Sequence, residues 1–299
     1  MSTASLMRLI LLGMIWGASF LFQRITVPVV GAPFTAAMRL ALAAVMLVVL
    51  LRVLGKSLNL RAQWRAWLLL GTINSAVPFL CFALAARHLP AGYLAVINAT
   101  VPLLTVLFVW LALRSRPSAS KLVGVVVGLV GVAVLARYGS VALTPATLGA
   151  FALALTAAAL YAFCALYIRR RHADSDPLVL AGASQLGAAF VLAPLGVWYL
   201  PAVMPDMSVI LSLLMLGLVC TGLAYALYFR LLSDIGSEKA VSNTFLVPVF
   251  AQIWGALFLQ EHLTVAGAVG FALVLLAVGL VLEVVPWRRR ARVVPEVSN

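Results

Sequence analysis

Long apolar runs separated by short polar breaks follow one another along the whole chain. Ten runs are close to the ~20 residues that an α-helix needs to cross a bilayer. They fall at residues 6–23, 34–54, 64–86, 93–113, 119–137, 146–168, 178–200, 208–231, 240–260 and 264–285. Apolar positions are continuous within each run and do not alternate, which favours helices over barrel strands. The pattern therefore predicts an all-α integral membrane protein with ten transmembrane helices.

The composition strengthens this interpretation and excludes other classes. Of 299 residues, 65% are apolar and 10% are charged, whereas a water-soluble domain is about half apolar and about a quarter charged. The three cysteines lie within apolar runs, so the chain offers neither a disulfide framework nor a cysteine metal motif. Eight acidic residues and three histidines are scattered over the chain, so we expect no catalytic residues, metal site or cofactor.

The basic residues predict the orientation in the membrane. With the N-terminus placed in the cytoplasm, 17 of the 21 Lys and Arg residues fall on the cytoplasmic side and three on the other. Both termini are therefore expected to be cytoplasmic, including a basic tail at residues 287–299. The net charge of +13 then reflects topology, which disfavours a nucleic-acid partner and favours anionic lipid at the basic loops and tail.

The two halves of the chain resemble each other at an offset of about 146 residues. Phe79 matches Tyr225, and Pro102 matches Pro248. We expect a first five-helix repeat at residues 1–140 and a second at 141–286. Because five is odd, the second repeat enters the membrane from the opposite side, and inverted repeats of this kind are typical of transporters. Duplication of a membrane scaffold is the alternative.

Polar and aromatic residues within the spans are the candidates for a substrate cavity, because polar groups at membrane depth usually face the bundle interior. For most of the aromatic residues, packing in the core is a competing interpretation. Pro78, Pro102 and Pro248 are candidate hinges, since proline frees a backbone carbonyl and bends its helix; a packing kink without a role in transport is the alternative. The cavity candidates are Trp16, Arg39, Asn74, Phe79, Asn98, Tyr161, Gln185, Tyr225, Asn243 and Trp254.

Arg39 is the most informative charge, because it lies about six residues into the second run. It either faces the cavity and binds an anionic group such as a carboxylate, or it extends to the outer membrane interface or pairs with a carbonyl at a helix end. No acidic residue is clearly placed at mid-membrane, so facilitated export or exchange is as plausible as proton-driven export.

Several of these residues also carry a family resemblance. The segment from Asn243 to Leu282, with Pro248 and Glu261, resembles the second repeat of the EamA-type exporters of the drug/metabolite transporter superfamily. Trp16-Gly17 and Arg39 match the first repeat, whereas Ser115 replaces the glutamate that is usual after the fourth helix. The resemblance implies alternating-access export of amino acids or related metabolites from a bacterial cytoplasm, across the inner membrane.

The expected function is therefore export of a small-molecule substrate through a central cavity. Aromatic amino acids are favoured, because the cavity candidates are rich in rings and amides. Transport of other drugs or metabolites, a channel and a scaffold are the alternatives. Gly124 and Gly128 form a small-xxx-small motif, which is compatible with a monomer or a weak dimer.

Overall fold

The computed structural model describes residues 2–58, 60–114, 116–240 and 242–284, and this part of the chain forms ten long helical segments and no strand. Eight are long and apolar enough to cross a membrane, and the last two are shorter apolar helices. This confirms the predicted fold class. The predicted tail at 287–299 and residues 285 and 286 lie outside the described residues.

The ten segments are numbered α1 to α10 in chain order. Two of them, α3 and α8, contain a π-helical stretch between two α-helical parts, and α4 is interrupted by one turn. The bounds are α1 Thr3–Val30, α2 Ala32–Val53, α3 Leu60–Gly71 with Thr72–Ala76 and Val77–Ala85, α4 Ala91–Asn98 with Val101–Leu113, α5 Ala119–Tyr138, α6 Pro145–Arg171, α7 Pro177–Trp198, α8 Met207–Leu214 with Met215–Leu223 and Ala224–Ala240, α9 Asn243–Leu259, and α10 Val265–Val281.

Local sequence explains where several helices begin. Ser118 and Thr264 accept hydrogen bonds from backbone N–H groups of the first turns of α5 and α10. Asp176 does the same for α7, and it also pairs with Lys56. The hydrogen bond from Lys56, together with those from the backbone, holds the pKa of the Asp176 carboxyl below its usual value.

Irregularities recur at equivalent places in the two halves. The π-helical stretch Thr72–Ala76 of α3 corresponds to Met215–Leu223 of α8. The helices α4 and α9 end on Arg114 and Gln260, which lie 146 residues apart and adopt left-handed φ values of 51° and 54°. The predicted offset therefore describes shared backbone geometry as well as shared residue types.

Helix packing has the same internal symmetry. The helices α2 and α7 pack together, as do α5 and α10, while α1 lies against α9 and the equivalent α6 lies against α4. A Cβ atom on Gly131 would approach the backbone oxygen of Gly270 to 3.0 Å, and one on Gly270 would approach that of Gly131 to 2.8 Å. The glycine-rich faces of α5 and α10 thus contact each other within the chain.

Candidate substrate cavity

The helices enclose a cavity of about 660 Å³ within the membrane-spanning region. At one end its lining reaches Lys121, at the start of α5, and Leu282, just after α10; we call this end the mouth. At the other end the lining stops at Gln23 of α1 and Ala95 of α4. The cavity therefore opens towards one face of the molecule. Under the predicted orientation this face is cytoplasmic.

Eight of the ten cavity candidates contribute to this lining. They come from both halves of the chain, so the cavity forms where the two repeats meet. These residues are Trp16, Arg39, Asn74, Phe79, Asn98, Tyr161, Tyr225 and Asn243.

Arg39 is almost fully buried, with 7% of its surface exposed. Its Nε donates a hydrogen bond to Thr221 Oγ1 of α8 at 2.9 Å, and its guanidinium carbon lies 3.9 Å from the centre of the Phe79 ring. Nε and one face of the group are therefore occupied, and its remaining N–H donors are the ones available to a ligand. Stacking on an aromatic face also stabilises a desolvated cation.

No carboxylate accompanies this guanidinium in the lining. Arg39 and Lys121 are the charged residues among the described residues that line the cavity, and Lys121 lies at the mouth, where it pairs with Glu283. The deep part of the cavity therefore carries an uncompensated positive charge. A buried charge without a partner is costly, so this site favours a ligand that brings a negative group.

Aromatic rings form much of the remaining wall. Trp16 and Tyr228 have ring centres 5.3 Å apart, and Phe82 lies 6.3 Å from Tyr161 in a stacked arrangement. Phe20 meets Phe82 edge to face at 5.7 Å. Rings at these distances form a stable apolar surface whose Tyr hydroxyl and Trp N–H groups still offer hydrogen bonds.

Asn243 supplies a polar group of a different kind. It is 3% exposed, and its side-chain nitrogen and oxygen have no hydrogen-bond partner among the described residues. A buried amide that lacks partners loses the hydrogen bonds that it makes in water. Asn243 is therefore available both to donate to and to accept from a ligand in the cavity.

Gln185 and Trp254 do not line the cavity. Gln185 is fully buried between α7 and α3, where its Nε2 donates to Ser75 Oγ at 2.9 Å. Trp254 lies in α9, and its Nε1 donates to the backbone oxygen of Met14 at 3.1 Å. Both side chains therefore hold helices together in this conformation.

The prolines differ in position. Pro102 and Pro248 line the cavity, whereas Pro78 is buried behind it, at the start of the last part of α3. Pro102 follows the interruption of α4, and Pro248 lies inside the continuous helix α9. Because proline has no N–H, neither residue can donate the usual helical hydrogen bond to the carbonyl four residues earlier, at Asn98 and Thr244, both of which line the cavity.

Sequence reasoning missed Ser19 and Gln23, which line the cavity from α1. Together with Trp16 and Phe20 they occupy positions i, i+3, i+4 and i+7, which lie on one face of a helix. That spacing was the available signal. The spacing is hard to recognise in the sequence, because α1 is largely apolar and only two of these four side chains are strongly polar.

The arrangement suits reversible binding of a small amphipathic molecule. No cluster of metal-ligating side chains occurs among the described residues, and the polar groups of the cavity are amides, hydroxyls, the Arg39 guanidinium and, at the mouth, the Lys121 ammonium. A largely apolar cavity with a few convergent polar groups, at the meeting point of two membrane-embedded repeats, is the architecture of a membrane transporter.

The comparisons with known proteins agree with this class. The model of the EamA-like transporter family matches residues 4–137 and residues 148–283. The chain therefore belongs to the EamA-like transporter family, and it is a multi-pass membrane transporter of small molecules.

Two curated relatives and one solved structure illustrate the similarity. An uncharacterized transporter of Bacillus subtilis, YvbV, is 25% identical over 93% of this chain and 92% of its own length. The threonine/homoserine exporter RhtA of Escherichia coli is 28% identical over 79% of this chain and 77% of its own. One crystal structure shares the fold, with a TM-score of 0.66 and 19% identity, over 94% of this chain and 96% of that one.

Proposed function

We propose that this transporter exports amino acids, with aromatic ones favoured, or related small amphipathic metabolites across a bacterial inner membrane by alternating access. The observation that carries the proposal is the deep cavity, where one buried guanidinium lies among aromatic rings and amides. An amino acid matches it, because the carboxylate complements the guanidinium and an apolar side chain complements the rings.

Within this proposal, Arg39 binds the substrate carboxylate through its remaining N–H donors. The unpaired amide of Asn243 takes a further polar group of the substrate. Trp16, Tyr161 and Tyr225 receive the side chain, and Pro102 and Pro248 allow α4 and α9 to bend as access changes. Gln185, Trp254 and Pro78 are retained as residues that support the cavity walls.

The comparison with RhtA supports the amino-acid class and raises a second candidate within it. RhtA is named for threonine and homoserine, which are small hydroxylated amino acids. The aromatic lining of this chain favours a larger apolar side chain, and 660 Å³ falls within the usual range for small-molecule sites, roughly 300–1,000 Å³. Export of threonine in preference to phenylalanine would favour the second candidate.

The remaining parts of the proposal concern the surroundings of the cavity. We propose that residues 1–140 and 141–286 act as the two moving halves, with both termini in the cytoplasm.

The basic cytoplasmic loops attract anionic lipid head groups, and the basic residues of the tail at 287–299 add to this positive charge. The glycine faces of α5 and α10 are used within the chain, which favours a monomer over a dimer formed through them.

An export assay in cells tests the proposal. Cells that overexpress the protein are loaded with a panel of amino acids, and the amino acids released to the medium are measured. We expect faster release of phenylalanine, tyrosine or tryptophan, and slower release by Asn98→Ala and Tyr225→Ala at unchanged membrane abundance. Tyr199→Ala is the matched control, because Tyr199 is 50% exposed at the end of α7. Wild-type release by both cavity variants would place the substrate path elsewhere.

A further inference from the structure

Beyond the end of the cavity opposite the mouth, a partly buried ion pair joins helices from both halves. Glu261 follows α9, and the left-handed turn at Gln260 directs the chain back towards the bundle. The Glu261 side chain is 8% exposed. Its Oε1 accepts a hydrogen bond from Arg24 Nε of α1 at 3.1 Å, and its Oε2 accepts one from the backbone N–H of Ala91 at 2.8 Å.

The Arg24 side chain extends the connection to a fourth helix. Its Nη1 donates to the backbone oxygen of Ala86, directly after α3, at 2.7 Å. Ala91 is the first residue of α4, where free N–H groups and the helix dipole favour a negative charge. Two side chains thus connect α1, α3, α4 and α9 with three hydrogen bonds, each of which has a charged donor or acceptor.

These contacts close the cavity at this end. The lining stops at Gln23, next to Arg24 in sequence, and at Ala95, one helical turn after Ala91. For the cavity to open to this face, α1, α4 and α9 must separate on this side of the molecule. Separation requires that the contacts of Glu261 with both Arg24 and Ala91 break, so the ion pair stabilises the conformation that is open at the mouth.

The other repeat lacks the acidic partner of such a closure. At the offset of 146 residues, Glu261 corresponds in sequence to Ser115 and Arg24 corresponds to Arg170. At the offset of 145 residues, which aligns Trp16 of α1 with Tyr161 of α6, Arg24 corresponds to Arg169, which is also basic. Arg170 is exposed, and its Nη2 donates to the backbone oxygen of Ala112 at 3.4 Å. A closure of the mouth that uses the equivalent positions would have the basic residue without the carboxylate.

Ion pairs also occur towards the mouth, but they have a different geometry. Lys121 with Glu283 joins α5 to α10, Arg8 with Asp234 joins α1 to α8, and Lys56 with Asp176 joins α2 to α7. Each of these pairs links two helices that pack directly against each other. They do not connect four helices as Arg24 and Glu261 do.

From these contacts we infer that Arg24 and Glu261 form a one-sided latch. Their contacts hold the end of the cavity opposite the mouth closed, so the conformation that is open at the mouth is the resting state. The latch closes when the cavity is accessible from the mouth and breaks in each transport cycle. Weakening it shifts the population towards the opposite conformation, since a contact that is present in one state biases the equilibrium by its own free energy.

Labelling of a reporter cysteine tests this inference without knowledge of the substrate. In a full-length protein whose three native cysteines are replaced, Ala95→Cys places a thiol at the closed end of the cavity. A membrane-impermeant maleimide is then added from the face opposite the mouth, in vesicles of known orientation. We expect slow labelling of this parent protein, and labelling at least fivefold faster when Glu261→Gln or Arg24→Gln is added.

The matched control is Glu283→Gln, which removes an acid that pairs with Lys121 near the mouth. It should leave the labelling rate from the opposite face unchanged. Thermal unfolding in detergent confirms that each variant is folded, and Arg24→Lys serves if the stronger variants do not accumulate, since it keeps the charge and loses the branched donor. Labelling of folded Glu261 and Arg24 variants at the parent rate would overturn the latch, and it would leave the proposed export activity unaffected.

Discussion

At the scale of single residues, Arg39 determines the chemistry of the cavity. The second half has Gln185 at the equivalent position, and the two side chains make equivalent hydrogen bonds, Arg39 to Thr221 and Gln185 to Ser75, each at 2.9 Å. Thr221 and Ser75 are themselves 146 residues apart. The structural contact is therefore present in both halves, whereas the charge occurs in one and faces the cavity.

This symmetry suggests a substitution that separates charge from packing. Arg39→Gln introduces the residue that the other half uses, so the bond to Thr221 can be retained while the guanidinium is lost. Hydrogen bonds to charged groups contribute roughly 1.5–3 kcal/mol, so we expect kcat/KM for an amino acid to fall by about tenfold to a hundredfold. The measurement is initial transport rate against substrate concentration in proteoliposomes.

The control for this variant lies on the same helix. Arg52→Gln changes an exposed arginine in the last turn of α2, and transport should remain at the wild-type level. If Arg39→Gln transports with wild-type kcat/KM, Arg39 has a structural role and does not bind the carboxylate.

At the scale of helices, the close crossing of α3 and α7 depends on two glycines, Gly71 and Gly187. A Cβ atom on Gly71 would lie 2.4 Å from the backbone nitrogen of Ala188, and one on Gly187 would lie 2.3 Å from the backbone oxygen of Trp67. Backbone atoms cannot move aside as a flexible side chain can. The two helices therefore approach closely because both crossing positions are glycine.

Gly71→Ala should consequently force α3 away from α7. Overpacking of this kind costs roughly 1–3 kcal/mol, so we expect a midpoint of thermal unfolding several degrees below wild type in detergent. Gly149→Ala is the control, because a Cβ atom there meets nothing within 4 Å and alanine is the better helix former. Equal stability of wild type and Gly71→Ala would show that the crossing accommodates a Cβ atom and does not require glycine.

The helices themselves could be predicted well from hydrophobicity, because a bilayer imposes both length and backbone hydrogen bonding. The observed helix ends differ from the ends of the apolar runs. The start of α7 differs by one residue, because Asp176 caps the helix directly before Pro177, and the end of α1 lies seven residues further on, at Val30. In the sequence, polar or small residues interrupt the apolar runs of α3 and α8, at Asn74–Ser75 and at Thr221–Gly222. The π-helical form of these stretches could not be predicted, because it depends on tertiary contacts such as Arg39 with Thr221.

At the scale of the whole molecule, the two repeats meet around a cavity that is open at one end. Membership of the EamA-like family and the ten-helix fold agree with the sequence prediction. The positions of the cavity residues were less predictable, because the hydrophobic pattern identifies polar residues in a span but not the direction in which each points. Gln185 and Trp254 are a polar and an aromatic residue within spans, as a cavity residue should be, yet both form contacts between helices.

The absence of a carboxylate from the described lining leads to a prediction about selectivity. If the substrate is an amino acid, as proposed, its carboxylate has a basic partner, whereas its ammonium group has only amides, hydroxyls and ring faces. Molecules that retain the carboxylate should therefore be transported, and amines that lack it should be poor substrates.

Counterflow in proteoliposomes tests whether the protein transports amino acids and requires their carboxylate. Vesicles containing the purified protein are preloaded with unlabelled phenylalanine or with phenethylamine, and uptake of labelled phenylalanine is followed. We expect saturable accumulation, at least tenfold above protein-free vesicles, when phenylalanine is inside, and little when phenethylamine is inside. Equal accumulation with both internal solutes, or none with any amino acid of a full panel, would contradict this expectation.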